Sequence, residues 1–204
     1  MRRTLFASYM LSALLVCSCG GDDPPTFAEL KYQVRCPVNP LAGCSRDGEQ
    51  VDVFGYDGEP NDPQGSPEGS VSVSCDFSHN GDSRDFSFSV MVGSGAEAPS
   101  VRLFGATVND AGVVGGDCRL RVKDVTNTYE GACSSNPPSP EIPCQLGTVN
   151  LAEGEDGPEV TTTILCQDIT AATNPTQLRR DVEAGVPFPR ETPASVRLIR
   201  CTGT

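Results

Sequence analysis

The amino-acid sequence predicts an all-β domain, an antiparallel β-sandwich of Greek-key or jelly-roll type that is stapled by disulfides. Three observations predict this fold class. Apolar and polar residues alternate with a period of two in many short segments. The chain's 21 glycines and 17 prolines punctuate these segments with turns. Ten cysteines are present, and in an exported chain they indicate disulfides.

Four segments alternate most clearly, over residues 28–36, 70–77, 85–92 and 118–123. Each would present one dry face and one wet face, which is typical of antiparallel sheets rather than of parallel sheets buried on both sides. Further strands are expected near residues 49–56, 100–108, 127–133, 144–151, 159–169 and 194–201.

Two connections are predicted in more detail. Asn80-Gly81 lies between residues 70–77 and 85–92, and Asn-Gly favours a type I′ hairpin turn because both central residues need a positive φ. Residues 174–185 have the pattern of a helix of one or two turns, with Asn174 as the cap and Pro175 first. A plain loop fits that segment equally well.

The first 19 residues have the layout of an export signal. Arg2 and Arg3 form a short positive segment, and residues 4–16 are apolar and uncharged. This run is shorter than the roughly 20 apolar residues that a membrane-spanning helix needs. The row Val16-Cys17-Ser18-Cys19 resembles the lipobox of bacterial lipoproteins. The resemblance implies that Cys19 receives a diacylglyceryl thioether and becomes the mature N-terminus.

The sequence after Cys19 is Gly-Gly-Asp-Asp-Pro-Pro, a hydrated and extended tether. The predicted organisation is a signal peptide over residues 1–18, a lipidated cysteine and tether over 19–26, and a β-sandwich domain over 27–204. A second interpretation is two duplicated halves, or two small sandwiches that divide near residues 137–143, because the tetrapeptide Ser-Val-Arg-Leu occurs at residues 100–103 and again at 195–198.

Location and charge limit the partners. Gly20, not aspartate, follows the lipid cysteine. By analogy with a sorting rule of some Gram-negative bacteria, the resemblance implies an outer-membrane lipid anchor, with the domain facing the periplasm or the cell exterior. The chain carries a formal net charge of -12. An acidic domain repels nucleic acid, so nucleic-acid binding is excluded.

The cysteines that remain after export and lipidation are even in number, which predicts disulfides. They are Cys36, Cys44, Cys75, Cys118, Cys133, Cys144, Cys166 and Cys201. Spacing favours Cys36–Cys44 and Cys133–Cys144, each closing a proline-containing loop, and Cys166–Cys201, which leaves Cys75–Cys118. A zinc site is not expected, because no CxxC pair occurs and no cysteine has a histidine at ligand spacing.

No catalytic motif is found. The only histidine, His79, lies beside the predicted turn and is expected to be exposed, and no G-x-S-x-G elbow or phosphate-binding glycine loop occurs. One loop carries candidate ligand-binding residues. Tyr56 is either a sugar-stacking ring or a ring that covers the core. The loop residues Asp57, Glu59, Asn61 and Asp62 either hold structural calcium or form a solvated loop, and no other cofactor is expected.

The predicted function is therefore that of a lipid-anchored envelope lipoprotein with a non-catalytic binding or structural module. Its partners are the membrane, through the lipid, and an envelope protein or a glycan. The alternative is an extracytoplasmic carbohydrate-active hydrolase that uses paired carboxylates. The missing catalytic motif and the absence of tryptophan favour the first function. Beyond the lipobox, the chain resembles no named domain family.

Overall fold

A computed structural model describes residues 24–35, 49–62, 67–124, 127–171, 179–184 and 194–203. These residues form strands and connections, and none of them forms a helix that could cross a membrane. The strands are β1 (Phe27–Arg35), β2 (Glu49–Tyr56), β3 (Val71–Asn80), β4 (Ser83–Val92), β5 (Ser100–Asn109), β6 (Val114–Gly115), β7 (Arg119–Lys123), β8 (Thr128–Ser134), β9 (Cys144–Leu146), β10 (Asn150–Gly154), β11 (Gly157–Ala171), β12 (Arg179–Ala184) and β13 (Ala194–Ile199).

The strands hydrogen-bond as one sheet in the order β12-β1-β13-β11-β9-β8-β7-β5-β4-β3. β2 adds to β1, β6 to β5 and β10 to β11. Among the named strands only β8 and β9 pair in parallel. β12 and β13 both lie between β1 and β11, since each of them pairs with β1 on one side and with β11 on the other. The predicted all-β fold, mostly antiparallel and stapled by disulfides, is confirmed, and the β-sandwich of Greek-key or jelly-roll type stays a prediction.

The two ends of the strand order are joined, so the sheet curls back on itself. At the free edge of β3, Phe77 donates its N–H to the carbonyl of Thr202 (2.9 Å), and Thr202 donates to the carbonyl of Cys75 (3.0 Å). Further along the same edge, Val71 donates to the carbonyl of Glu59 (2.7 Å). Thr202 follows β13 and Glu59 follows β2, which lie at the other end of the order. The curled sheet therefore encloses the core.

Alternation along each strand decides which side chains point inward. β3 buries Val71, Val73, Cys75 and Phe77 and exposes the residues between them. The buried side chains of both chain halves join in one hydrophobic cluster. Tyr32 on β1, which is 2% exposed, donates its hydroxyl to the carbonyl of Lys123 at the end of β7 (2.7 Å). One side chain thus reaches from β1 across to β7.

The hairpin of β3 and β4 forms where it is predicted, but with a different turn. Asn80 pairs with Ser83, so the two turn residues are Gly81 and Asp82. Gly81 has a φ of 62°, and Arg200 is the only non-glycine with positive φ among the described residues. A positive φ at the first turn residue alone is the requirement of type II′, not of the predicted type I′. The strand ladder extends through Asn80 and displaces the turn by one residue.

The segment predicted as a short helix or a loop contains a strand instead. β12 runs over Arg179–Ala184 and pairs with β1 on one side and β11 on the other. The helical prediction is therefore wrong over these residues, because two long neighbouring strands offer the segment a full set of backbone partners. The proposed cap at Asn174 and the residues before β12 lie outside the described part of the chain.

Three disulfides are present among the described residues: Cys75–Cys201, Cys118–Cys133 and Cys144–Cys166. The expected pairs Cys133–Cys144, Cys166–Cys201 and Cys75–Cys118 are wrong. Strand topology is the reason. Cys133 and Cys144 do stand opposite each other on the parallel strands β8 and β9, yet each bonds to its outer neighbour. The predicted pair Cys36–Cys44 lies outside the described residues.

Candidate functional site

One row of outward side chains crosses five neighbouring strands. In register, Ser74 on β3 faces Ser89 on β4, which faces Arg102 on β5, which faces Arg121 on β7, which faces Glu130 on β8. Directly opposite residues place their Cβ atoms roughly 4.5–5.5 Å apart. The sequence therefore places two hydroxyls, two guanidinium groups and one carboxylate side by side on the outer surface.

This row crosses a shallow, open depression of about 400 Å³. We call it the Arg102 face and define it by the side chains of Ser74, Ser87, Ser89, Arg102, Phe104 and Arg121, which all line it. Three hydroxyls can donate and accept hydrogen bonds, two guanidinium groups can only donate, and one aromatic ring offers an apolar surface. Such a mixture suits a polar ligand that carries a negative charge.

A β-bulge in β5 presents the aromatic ring. Leu103 pairs with Phe88 and Ala106 pairs with Phe86, so Phe104 and Gly105 together oppose the single residue Ser87. Gly105 has a φ of 67°, and a Cβ added there would lie 2.6 Å from the carbonyl oxygen of Asp117. Only glycine fits this position. The extra residue leaves Phe104 partly exposed on the outer surface.

Arg121 is held in place by two contacts. Its guanidinium lies 5.6 Å from the centroid of the Phe104 ring, within the range of a cation–π interaction. Its Nε and Nη2 donate to the same carboxylate oxygen of Glu130, at 2.9 and 2.7 Å. Arg119 also approaches Glu130, at 3.6 Å. One carboxylate thus serves two arginines.

Arg102 has no such partner. It is exposed, and among the described residues it makes neither a hydrogen bond nor an ion pair. Its neighbours in the row are a serine and another arginine. The carboxylate of Asp76, opposite Ser87, accepts the hydroxyl of Thr202 (2.8 Å). The Arg102 face therefore holds an uncompensated positive charge on a chain whose net charge is -12.

The repeated tetrapeptide gives a direct comparison. Arg197 occupies in β13 the place that Arg102 occupies in β5, with a buried residue on either side in both strands. Arg197 donates through Nε and Nη2 to the two carboxylate oxygens of Glu159, both at 2.9 Å, and lies 3.8 Å from Glu29. The arginine of this tetrapeptide is therefore neutralised by carboxylates in the second half of the chain (Arg197) and is without a carboxylate partner among the described residues in the first half (Arg102).

The Glu159–Arg197 ion pair also bears on the alternative function, a hydrolase that uses paired carboxylates. The hydrogen bonds from Arg197 hold the pKa of the Glu159 carboxyl below its ordinary value, although partial burial acts in the opposite direction. A general acid in glycoside hydrolysis needs a raised pKa instead. Within the described residues no three metal-binding side chains of the His, Cys, Asp or Glu types come together. These observations add nothing in favour of a hydrolytic centre.

Tyr56, the predicted sugar-stacking candidate, is packed against other groups. Its ring meets that of Phe27 edge-on at 5.1 Å, and the guanidinium of Arg200 lies 5.7 Å from its centroid. Arg200 in turn donates to the carbonyls of Asp156 (2.8 Å) and Pro25 (3.2 Å). Tyr56 thus packs with Phe27 and Arg200, and it is not among the residues that line the Arg102 face.

The loop predicted as a calcium or ligand site uses two of its side chains to hold backbone. Asn61 is 7% exposed; its Oδ1 accepts the N–H of Phe54 (2.9 Å) and its Nδ2 donates to the carbonyls of Asp52 (2.8 Å) and Pro67 (3.0 Å). Asp57 accepts the N–H of Val73 (2.8 Å). Both side chains therefore dock the loop onto the sheet, while Glu59 is exposed and Asp62 is partly buried beside them.

His79, the histidine that the sequence places beside a turn, is exposed near the end of the β3–β4 hairpin, opposite Arg84, as expected. The lipidation candidate Cys19 lies outside the described residues. Arg102 and Phe104 were not predicted as site residues. The sequence signal for them is a change of phase in β5, where buried apolar residues at 101 and 103 are followed by others at 106 and 108.

Comparisons with protein-family models, with curated proteins and with solved structures give no match to this chain. This agrees with the sequence, in which the residues after Cys19 resemble no named domain family. The function is therefore argued from the site alone.

Proposed function

We propose that this protein is a lipid-anchored lipoprotein of the bacterial cell envelope whose β domain is a non-catalytic binding module, and that it binds its ligand at the Arg102 face. The observation that carries the proposal is the uncompensated guanidinium of Arg102, set among serine hydroxyls beside the Phe104 ring. A folded domain gains nothing from two directly opposed arginines, since like charges at such positions destabilise a sheet. A bound anion would remove that repulsion.

The anchor half of the proposal rests on the lipobox-like row that ends at Cys19. Two or three acyl chains hold a protein firmly on a bilayer, at ~0.8 kcal/mol for each buried CH₂. The first strand of the domain, β1, starts at Phe27, so residues 20–26 separate it from this cysteine. We place the anchor in the outer membrane and the domain in the periplasm or on the cell exterior, where its partner is an envelope protein or a glycan and not a nucleic acid.

A hydrolase is not carried forward as a second function. Glycoside hydrolysis needs two carboxyl groups roughly 5–10 Å apart around the bond that is cleaved. The Arg102 face has one adjoining carboxylate in its central row, Glu130, and two arginines already approach it. The geometry of this face suits binding without a chemical step.

The anchor is tested by labelling growing cells with a radioactive or clickable palmitate analogue. We expect label in the full-length protein and in a Cys17→Ser variant, and none in Cys19→Ser. Label that persists in Cys19→Ser, or is lost only in Cys17→Ser, would overturn the assignment of Cys19. Protease shaving of intact cells then tells the two sides of the membrane apart.

Binding at the face is tested by site-specific photo-cross-linking in cells. Benzoylphenylalanine replaces Ser89 on the face or, as the matched control, Thr161, which points outward from β11 on another part of the sheet. We expect a light-dependent adduct from position 89 and none from position 161. No adduct from either position, or equal adducts from both, would count against a binding role for this face.

A further inference from the structure

We infer that the ligand of the Arg102 face is an acidic glycan, a polysaccharide in which the recognised sugar unit carries one singly charged oxyanion, a carboxylate or a sulfate. The inference rests on the function proposed above and names its ligand class. The depression, its charges and its hydrogen-bonding groups each contribute one part of the argument.

Arg102 is the guanidinium of the face that contacts no carboxylate among the described residues. Arg121 donates two hydrogen bonds to Glu130, and Arg119 lies 3.6 Å from the same carboxylate. Guanidinium is planar and donates two parallel hydrogen bonds to a carboxylate, sulfate or phosphate. A carboxylate or sulfate monoester brings about one negative charge, which matches Arg102 more closely than the roughly two charges of a phosphate monoester at neutral pH.

The other side chains of the face specify a sugar as the carrier of that charge. Ser74, Ser87 and Ser89 form a patch of hydroxyls beside Arg102, and each can exchange hydrogen bonds with sugar hydroxyls in either direction. Phe104, whose ring also contacts Arg121, adds apolar surface for the C–H groups of a sugar.

The form of the depression agrees with a polymer. It is open, and it lies on the outer surface of strands that run side by side without a covering loop over it among the described residues. An extended chain can pass across such a face, whereas a small metabolite usually needs a site that encloses most of its surface. Binding of one sugar unit here is expected to be weak, with avidity supplied by many lipoproteins on one membrane.

The test is binding of the purified, disulfide-intact domain to a defined series of polymers, measured by affinity electrophoresis and calorimetry. The series contains polygalacturonate, its fully methyl-esterified form, a sulfated polysaccharide and poly-glutamate. We expect binding to polygalacturonate or to the sulfated polymer, at least about tenfold weaker binding to the methyl ester, and weakening of the acidic interaction by salt. The two acidic polymers tell a carboxylate from a sulfate.

Two variants assign the binding to the face. Arg102→Ala is expected to lower affinity for the acidic polymer at least about tenfold. Arg102→Lys keeps the charge but cannot donate two parallel hydrogen bonds, so its affinity is expected to lie between that of Arg102→Ala and that of the native protein. Arg84→Ala is the control, because Arg84 lies on β4 but lines a different depression, beside the β5–β6 turn. Circular dichroism and near-native urea midpoints verify that all three variants fold.

The outcomes separate this inference from the function it rests on. Equal binding of the ester and the acid overturns the acidic requirement and leaves a glycan-binding face. Equal or tighter binding of poly-glutamate overturns the sugar and points to an acidic protein partner. Failure to bind any polymer, together with an adduct to a protein from position 89 in cells, overturns the glycan while the binding face stands. No binding and no adduct overturn both.

Discussion

Arg102 on β5 and Arg121 on β7 are directly opposite each other in the sheet, and only Arg121 has a carboxylate partner within the described part of the chain. The same tetrapeptide 95 residues later places Arg197 between Glu159 and Glu29, where it is fully compensated. The two halves of the chain thus use one local pattern in two ways: one arginine stabilises the sheet, and the other is left available to a ligand.

A charge reversal at this position is predicted to stabilise the domain. Arg102→Glu converts a repulsive cross-strand pair with Arg121 into an attractive one, and opposed charges in sheets contribute roughly 0.2–1 kcal/mol. We expect the free energy of unfolding to rise by about that amount in urea titrations at low salt, while affinity for an acidic polymer is lost.

The counterpart of this variant is Arg197→Glu, which places three carboxylates together. It is expected to lower the free energy of unfolding without a direct effect on the Arg102 face. If Arg102→Glu also destabilises the domain, Arg102 has a structural contact and the argument for an unpaired charge fails.

The Glu159–Arg197 pair predicts a defined pH dependence. Arg197 lowers the pKa of the Glu159 carboxyl in the folded state, so the pair contributes stability that is present above the unfolded-state pKa. That contribution is lost as the pH falls through the lowered folded-state pKa, where the carboxyl becomes protonated. We expect Glu159→Gln to be less stable than the native protein near pH 6, with the gap shrinking toward about pH 3.

The gap is measured by urea unfolding across this pH range. It is expected to be small, since the Arg197 side chain is 40% exposed and solvent screens the pair. Glu141→Gln is the control, because Glu141 is exposed and makes no hydrogen bond or ion pair with the described residues. A gap that grows as the pH falls would contradict the expected direction of the pH dependence.

The Cys75–Cys201 disulfide is predicted to be worth more than Cys118–Cys133. The first links residues 126 apart and fastens the C-terminal segment to the free edge of β3, whereas the second links residues 15 apart within one hairpin. In the chain-entropy description the cost of removal is about 5 kcal/mol for the long loop and about 3 kcal/mol for the short one. Double Cys→Ser variants, compared by urea unfolding, check the order; equal costs would show that closure of the sheet does not depend on this bond.

Asn61 is predicted to be a structural residue of its loop. Its amide makes three hydrogen bonds to backbone groups while nearly buried, so Asn61→Ala leaves those groups without partners and is expected to cost roughly 1–3 kcal/mol. Asn61→Asp keeps the acceptor for the Phe54 N–H and loses the two donations, so it should also destabilise. Asn150→Ala removes only one exposed, long contact (3.5 Å) and serves as the control. Added calcium that restores Asn61→Asp to native stability would support the calcium interpretation of this loop.

The strands were predictable because burial of one face produces a period of two in the sequence. β3, β4, β7 and β8 show it plainly, with buried and exposed residues in alternation. The disulfide pairs were not predictable, because spacing along the chain measures loop size and says nothing of which strands become neighbours. Cys201 meets Cys75 only because the sheet curls and brings the end of the chain to β3.

The Arg102 face was not predictable from the sequence for a similar reason. An exposed arginine between two buried residues looks like an ordinary outward side chain, and Arg102 and Arg197 are indistinguishable at that level. What separates them is the identity of their cross-strand neighbours, Ser89 and Arg121 for one and Glu29 for the other. That information depends on register, which a bulge at Gly105 shifts by one residue.

The bulge itself gives the last prediction. Gly105→Ala forces an alanine to a φ of 67° and brings its Cβ within 2.6 Å of the Asp117 carbonyl oxygen. Gly58→Ala is the matched control, since Gly58 has a φ of 81° and no atom within 4 Å of an added Cβ. Both variants carry the left-handed penalty of roughly 1–2 kcal/mol, so the excess cost of Gly105→Ala measures the clash alone. We expect that excess in urea unfolding, together with weaker polymer binding as Phe104 is displaced. Equal costs and unchanged binding in the two variants would show that the bulge does not set the position of the ring.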